Sequence, residues 1–332
     1  PGNVLVGKSA GANMTTGDYN IAIGFEAADA ISGNADHNIA IGMNALGGCT
    51  AATSSNIAIG SGALEHASYA AANNNIAIGR IAGASITSGS QNVLIGYEAG
   101  NALVDDAENT AVGYNALKTA QGAGNTAVGR MAAANLSAGD EAADHNTVVG
   151  CSALQDANGG EAQNTAIGAF AFHALNSDSA DDNVAVGFKA GMFDAAGTSA
   201  GDELEEATMS TYIGGFSRGS ATTGIINETV LGYGAVGQGD NTVMLGNSSV
   251  SGLHCYDTSI SSPSDSRIKK DVAASTVGLD FINKLAAVSY KRINPADFPD
   301  PIAEARFKES TEQRTVSEAV EAADAVYEDV VV

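Results

Sequence analysis

The densest gathering of side chains able to do chemistry is SPSDSRIKKDV, residues 262 to 272, where serine hydroxyls, two carboxylates and three cations, Arg267, Lys269 and Lys270, fall within a few positions. A serine hydroxyl becomes a nucleophile only beside a base, and a lysine can be that base when burial or neighbouring cations lower its pKa. A solvated basic turn would have the same composition. Elsewhere reactive groups are sparse. Cys49, Cys151 and Cys255 are far apart and odd in number, without metal-type spacing, so they read as buried small residues or free thiols and not as a disulfide frame. The five histidines are scattered, and His37 and His145 each precede a repeated Asn. No cofactor and no metal site is expected. The carboxylates sit in segments of variable length, which argues against a glycosidase built on a fixed carboxylate pair.

The elements that position everything else come from a repeat. The pattern Asn, β-branched residue, small or apolar residue, Val or Ile, Gly occurs eleven times, beginning at Asn3, Asn20, Asn38, Asn56, Asn75, Asn92, Asn109, Asn125, Asn146, Asn164 and Asn183. Each copy places an alanine three residues past its glycine, from Ala10 to Ala190. Successive copies start 16 to 21 residues apart, the length of one solenoid coil and not of a multi-helix repeat. In an extended segment the second and fourth side chains leave on one face and the third on the other. The expectation is that the branched positions, Ile23 among them, form a packed core ladder at about 4.8 Å per rung, with the third face tight. Asn20, Asn38, Asn56, Asn75 and Asn109 head their rungs and should stack as amides. Gly24, Gly42, Gly60, Gly79 and Gly113 end them, where positive φ or close backbone approach is needed. These residues read as structural. Thr110, Thr126, Thr147 and Thr165 replace Ile at the second position. A threonine ladder that orders water or ice is the alternative reading, but sharing a face with an invariably apolar residue favours methyls that continue the core.

Composition bounds the rest. The 332 residues are 44% hydrophobic but 5% aromatic, with no Trp and 40 Gly, so the core is built from small and branched rungs. No run approaches the roughly 20 apolar residues of a membrane span, and no basic-then-apolar signal segment opens the chain. No membrane insertion is expected. Pro1 at the start implies processing or an upstream part able to hold an anchoring domain. Net charge is −23, and residues 1 to 250 hold 6 basic against 24 acidic residues, which argues against a nucleic-acid partner. Regular stacking should be interrupted from Phe193 to Ser210, around GDELEEA. Two late copies, NETVLG from Asn227 and NTVMLG from Asn241, carry one extra residue and tighten the coil.

The repeat resembles the head repeat of trimeric autotransporter adhesins, over about residues 3 to 246. That resemblance implies a mainly β fold, a parallel β-roll or β-solenoid in a homotrimer, with the third-position alanine or the alanine after the glycine facing a neighbouring chain. The same repeats occur in bacteriophage tail fibres.

Residues 1–248 therefore read as the β-solenoid region and 249–263 as a linker. Ser264, Asp265, Arg267, Ile268, Lys269 and Lys270, followed by LDFINKLAAVSYKR from Leu279 to Arg292, resemble the intramolecular chaperone of endosialidase-type phage tail spikes and fibres, so 264–332 reads as a small α/β chaperone-like domain. Val316, Val320, Ala323, Tyr327 and Val330 follow heptad spacing and suit a short coiled coil or an ordinary amphipathic helix. The resemblance implies self-cleavage before Ser264 at most, with Ser264 as nucleophile and Lys269 as base, and no external substrate. It implies a virion tail-fibre protein that binds a host receptor, glycan or protein, and joins other tail or baseplate proteins through an upstream part. The alternatives are a self-cleaving fibre precursor and a bacterial autotransporter-like surface adhesin.

Overall fold

The computed structural model describes residues 2–49, 53–66, 72–136, 143–197, 201–254 and 256. Ser264, Lys269, Cys255, the chaperone-like region and the heptad positions lie outside the described residues. Two compact units are distinguished, Pro1–Leu253 and His254–Val332, and the description that follows concerns the first.

This unit is a stack of similar coils of varying length. Fourteen strands form one parallel sheet in strict chain order, from Val4–Val6 to Val243–Leu245. Consecutive parallel neighbours require a full circuit of the chain between strands, so each repeat is one turn of a β-solenoid. Register is uniform: Ile21, Ala22 and Ile23 lie opposite Ile39, Ala40 and Ile41, and so on along the stack. A second, two-stranded pairing joins Ala207–Thr208 to Ile225–Ile226.

Each strand is three residues long because the glycine after it bends the chain. These glycines, from Gly7 to Gly232, stand at φ between +126° and +144°, and Gly246 after the last strand at +77°; a Cβ on Gly96 would lie 2.2 Å from the carbonyl oxygen of Gly113 in the next coil. Past the glycine the backbone alternates between right- and left-handed residues, such as Glu26 at φ 52° and Ala28 at φ 52°. The N–H groups of the left-handed residues reach the coils on either side, while the one between them bonds within its own turn, as Ala45 does to the Gly42 carbonyl. Glu26 donates back to the Lys8 carbonyl at 3.0 Å, and Ala28 donates forward to Ala45 at 2.9 Å. The turn is thus tied to both neighbours without being a strand.

The structure reverses the expected inside and outside. The third position is the interior one: Ala22, Ala40, Ala58 and Ala77 are fully buried, as are Ala27, Ala45 and Ala63 after the glycines. The branched second and fourth positions point out, half-buried or exposed, with Ile23 at 37%. The alanines therefore face their own coil and not another chain. A three-residue strand sends one side chain inward, and the narrow interior also takes a residue from each turn, such as Leu46, Leu64 or Ile31. Strand alternation defines two faces but does not say which is the inside.

The irregular stretch is also recast. Val184–Val186 pairs in register with Thr211–Ile213, so the ladder runs on and the extra residues form an enlarged turn. That turn is closed by the bridge between Phe193 and Glu203 and buries Leu204.

Candidate functional site

The solenoid has two polar ladders and two outward surfaces. The first ladder is the row of repeat asparagines, all buried from Asn20 to Asn183. The amide nitrogen of Asn38 donates to Asn20 Oδ1 at 2.9 Å, and Asn38 Nδ2 donates to the same oxygen at 3.0 Å and to the Thr53 carbonyl at 2.8 Å. The same arrangement repeats at Asn56, Asn92 and Asn146, while Asn75 and Asn109 keep the backbone-to-amide bond and a carbonyl contact. Beside it run Gly24, Gly42, Gly60, Gly79 and Gly113, each apposed to the next coil's glycine. These groups spend their hydrogen-bonding capacity on one another, which makes them scaffold.

Past Asn183 the ladder is carried by other residues. Ser210 takes the next place, its amide donating to Asn183 Oδ1 at 2.9 Å. Glu228 follows, directly before Thr229–Leu231, and Thr242 precedes Val243–Leu245. Asn227 and Asn241, which head the late copies in the sequence, instead stand one residue earlier at φ 55° and 59°, the left-handed place that Tyr19, His37 and Ser55 hold in earlier coils. Glu228 is buried and accepts from Tyr212 Oη at 3.0 Å and from the Gly239 amide at 2.8 Å. Burial, and then the Glu228 charge, push the Tyr212 hydroxyl well above its usual range.

The second polar ladder lies two residues before each Asn and is absent from the sequence reading. Asp36 Oδ1 accepts from the Asp18 amide at 2.7 Å, Ser54 Oγ from the Asp36 amide at 3.1 Å, Asn73 Oδ1 from the Ser54 amide at 2.6 Å, and Asp181 Oδ1 from the Ala162 amide at 2.7 Å. Its signal was the recurrence of Asp, Asn and Ser at that position, side chains that readily cap backbone N–H groups.

The first outward surface is the sheet face. Its two columns are β-branched or threonine over almost all fourteen strands, running roughly 60 Å at about 4.8 Å per strand. Ile23, Ile78, Ile95, Val128, Val149, Ile167 and Ile213 are each 36–42% exposed. Thr110, Thr126, Thr147 and Thr165 stand in register on four successive strands. They point outward, so their methyls do not continue the interior core. The second surface is the stripe of residues just after the glycines, with Arg80 over the Tyr97 ring at 5.5 Å and Tyr97 stacked on Tyr114 at 5.3 Å. Near its end Lys189 sits among Phe170, Phe188, Phe193 and Phe216, 5.5–5.9 Å from each ring centre.

Reactive chemistry finds no assembled site among the described residues. Cys49 is buried in the core and Cys151 is half-buried on the stripe after the glycines. No group of His, Cys, Asp and Glu there could hold a metal ion, and no described helix is long and apolar enough to cross a membrane. A cavity of about 250 Å³ lies among Glu26, Asp29, Asn44, Glu65 and His66. Glu161 is fully buried, accepts the Gly159 amide at 3.0 and 3.1 Å, and is pushed by burial from 4.5 to about 7. No protein-family model, curated protein or solved structure matches this chain.

Proposed function

We infer that the chain is a structural segment of a homotrimeric adhesive fibre, in which three solenoids pack their sheet faces about a common axis. The observation that carries this reading is the sheet face itself. A contiguous strip of β-branched side chains of this length, aliphatic but for its threonines, is far beyond the isolated apolar residues a monomer normally exposes, and such patches mark association surfaces. β-Branched side chains in register present a rigid surface that loses little rotamer freedom on contact. The four successive threonines, and Thr211 and Thr229 further on, all fall in one of the two columns, and Val112, Val128, Val149 and Ile167 stand beside the four, which fits dry burial better than an ordered-water face.

Resemblance to fibre repeats and to the chaperone of tail spikes supports a bacteriophage tail fibre that binds a host receptor. Turns of variable length on the outside of the coils would carry specificity. The C-terminal part would bring three chains into register and, if active, cut between Pro263 and Ser264. Sedimentation of the purified full chain tests the assembly: a trimer of the 33.2 kDa chain is expected, and a stable monomer at micromolar concentration would overturn the reading. Mass spectrometry of the same sample reads out the cut. A Ser264→Ala variant would abolish any shortened product.

A further inference from the structure

The two long edges of the sheet carry opposite characters. Along the trailing edge, the residue directly after each glycine includes Lys8, Arg80 and Arg130, all exposed, and no acid in any coil. Aromatic residues fill much of the rest of that row: Phe25, Tyr97, Tyr114, Phe188 and Tyr233 are 37–69% exposed. Along the leading edge, the two residues before each ladder position include Asp18, Asp36, Glu108, Asp144, Asp181 and Asp182, and no lysine or arginine in any coil. In a region with so few cations, placing three of them in one row opposite an edge that carries acids and no lysine or arginine is a strong segregation.

Copies arranged around an axis parallel to the coils all run their strands the same way round. The trailing edge of each copy then meets the leading edge of the next, a heterologous contact that closes into a ring. We propose that the cationic and aromatic trailing edge of one chain docks on the acidic leading edge of the next copy, so that the trimer is closed by complementary edges as well as by its apolar faces. This rests on the homotrimer reading above and adds to it the pairing of edges. Opposite charge across the contact steers association and disfavours antiparallel pairing, in which two like edges would meet. The aromatic rings supply apolar area at low entropic cost between the charges.

Native Cys151 lies on the trailing row, and His145 and Gln163 lie on the leading row of the same coil and of the next, both exposed. Full-length chains carrying Cys255→Ser with His145→Cys, or Cys255→Ser with Gln163→Cys, would be oxidised mildly and run on non-reducing denaturing gels. A covalent trimer is expected from at least one of them. It should vanish when Cys151→Ser is added, because a single cysteine on one edge meets no copy of itself. Sedimentation of the unoxidised variants separates the two claims. A trimer in which neither variant cross-links, or in which cross-linking survives Cys151→Ser, overturns the edge pairing and leaves the fibre reading intact. A monomer overturns both.

Discussion

At Asn92 one side chain serves three coils. Its Oδ1 accepts the Asn109 amide at 2.9 Å, and its Nδ2 donates to Asn75 Oδ1 and to the Asp106 carbonyl, each at 3.0 Å. Asn92→Ala leaves the buried Asn109 N–H and the Asp106 carbonyl without these partners, while Asn75 Oδ1 keeps the Asn92 main-chain N–H, so denaturant unfolding should show a loss on the order of 2 kcal/mol. Asn92→Asp retains the acceptor but not the donor, and should lose at least as much at pH 7 and recover part of it at pH 4. Gly96 is constrained differently: Gly96→Ala combines φ of +142° with a Cβ 2.2 Å from Gly113 O, and should cost about 3 kcal/mol or more. Glu161 sets a pH dependence. Its carboxyl titrates near 7 in the fold against 4.5 when solvated, so the native state favours the protonated form. That stabilisation is complete below pH 4.5 and lost as pH rises through 7. Melting curves between pH 4 and 8 should therefore fall more steeply with pH for the native chain than for Glu161→Gln, by a component on the order of 3 kcal/mol.

At the scale of one coil, the interior is filled by trading volume between strand and turn. Where the third position is alanine, the residue four past the glycine is often leucine, as at Leu46, Leu64 and Leu117, left-handed at φ 49–52°. Where it is Leu94, the neighbouring turns carry Gly83 and Gly100, whose added Cβ atoms would lie 2.7 and 2.6 Å from the Leu94 methyls. Leu94→Ala should cost about 2–5 kcal/mol through the cavity it leaves, and Gly100→Leu should destabilise through the clash. Combined, they recreate the arrangement of Ala111 with Leu117, and the double variant should be more stable than either single one in the same denaturant series. This exchange was written in the sequence, since the two copies with a third-position leucine, Leu5 and Leu94, are followed by Gly11 and Gly100. The repeat, its coil length and the stacked asparagines were likewise legible, because each is a one-dimensional pattern. The inside of the coil was not: alternation looks the same from either face, and only the narrow circuit decides that alanine goes in. The late frame was hidden for a related reason. Asn227 and Asn241 offer the motif's asparagine only with one extra residue before the glycine; the left-handed position before the ladder also suits Asn, and the register of Thr229 with Val243 gives the ladder to Glu228 and Thr242.

At the scale of the whole solenoid, the fold is held by the interior, whereas the proposed homotrimer would be held by the sheet face, and this makes the two separable. Ile78 and Ile95 point away from the interior at 36 and 37% exposure, while Ala77 and Leu94 between their columns are fully buried. Replacing both isoleucines by lysine removes no interior contact. Lysine's long stem can lie along the aliphatic columns with its ammonium in water, so the far-UV circular dichroism of a single solenoid should change little. In a trimer the same substitutions bring six ammonium groups toward one axis, where desolvation and mutual repulsion oppose assembly. The expected outcome for Ile78→Lys with Ile95→Lys is a folded chain that sediments as a monomer, or that associates only at high salt where the charges are screened. A matched pair on an outer turn, Ser85→Lys with Asn101→Lys, adds the same charge away from the sheet face and should leave the trimer intact. Were the sheet-face pair still trimeric at low salt, association would have to use another surface, and the columns would need a different occupant to explain why fourteen strands keep them free of charge and almost wholly β-branched.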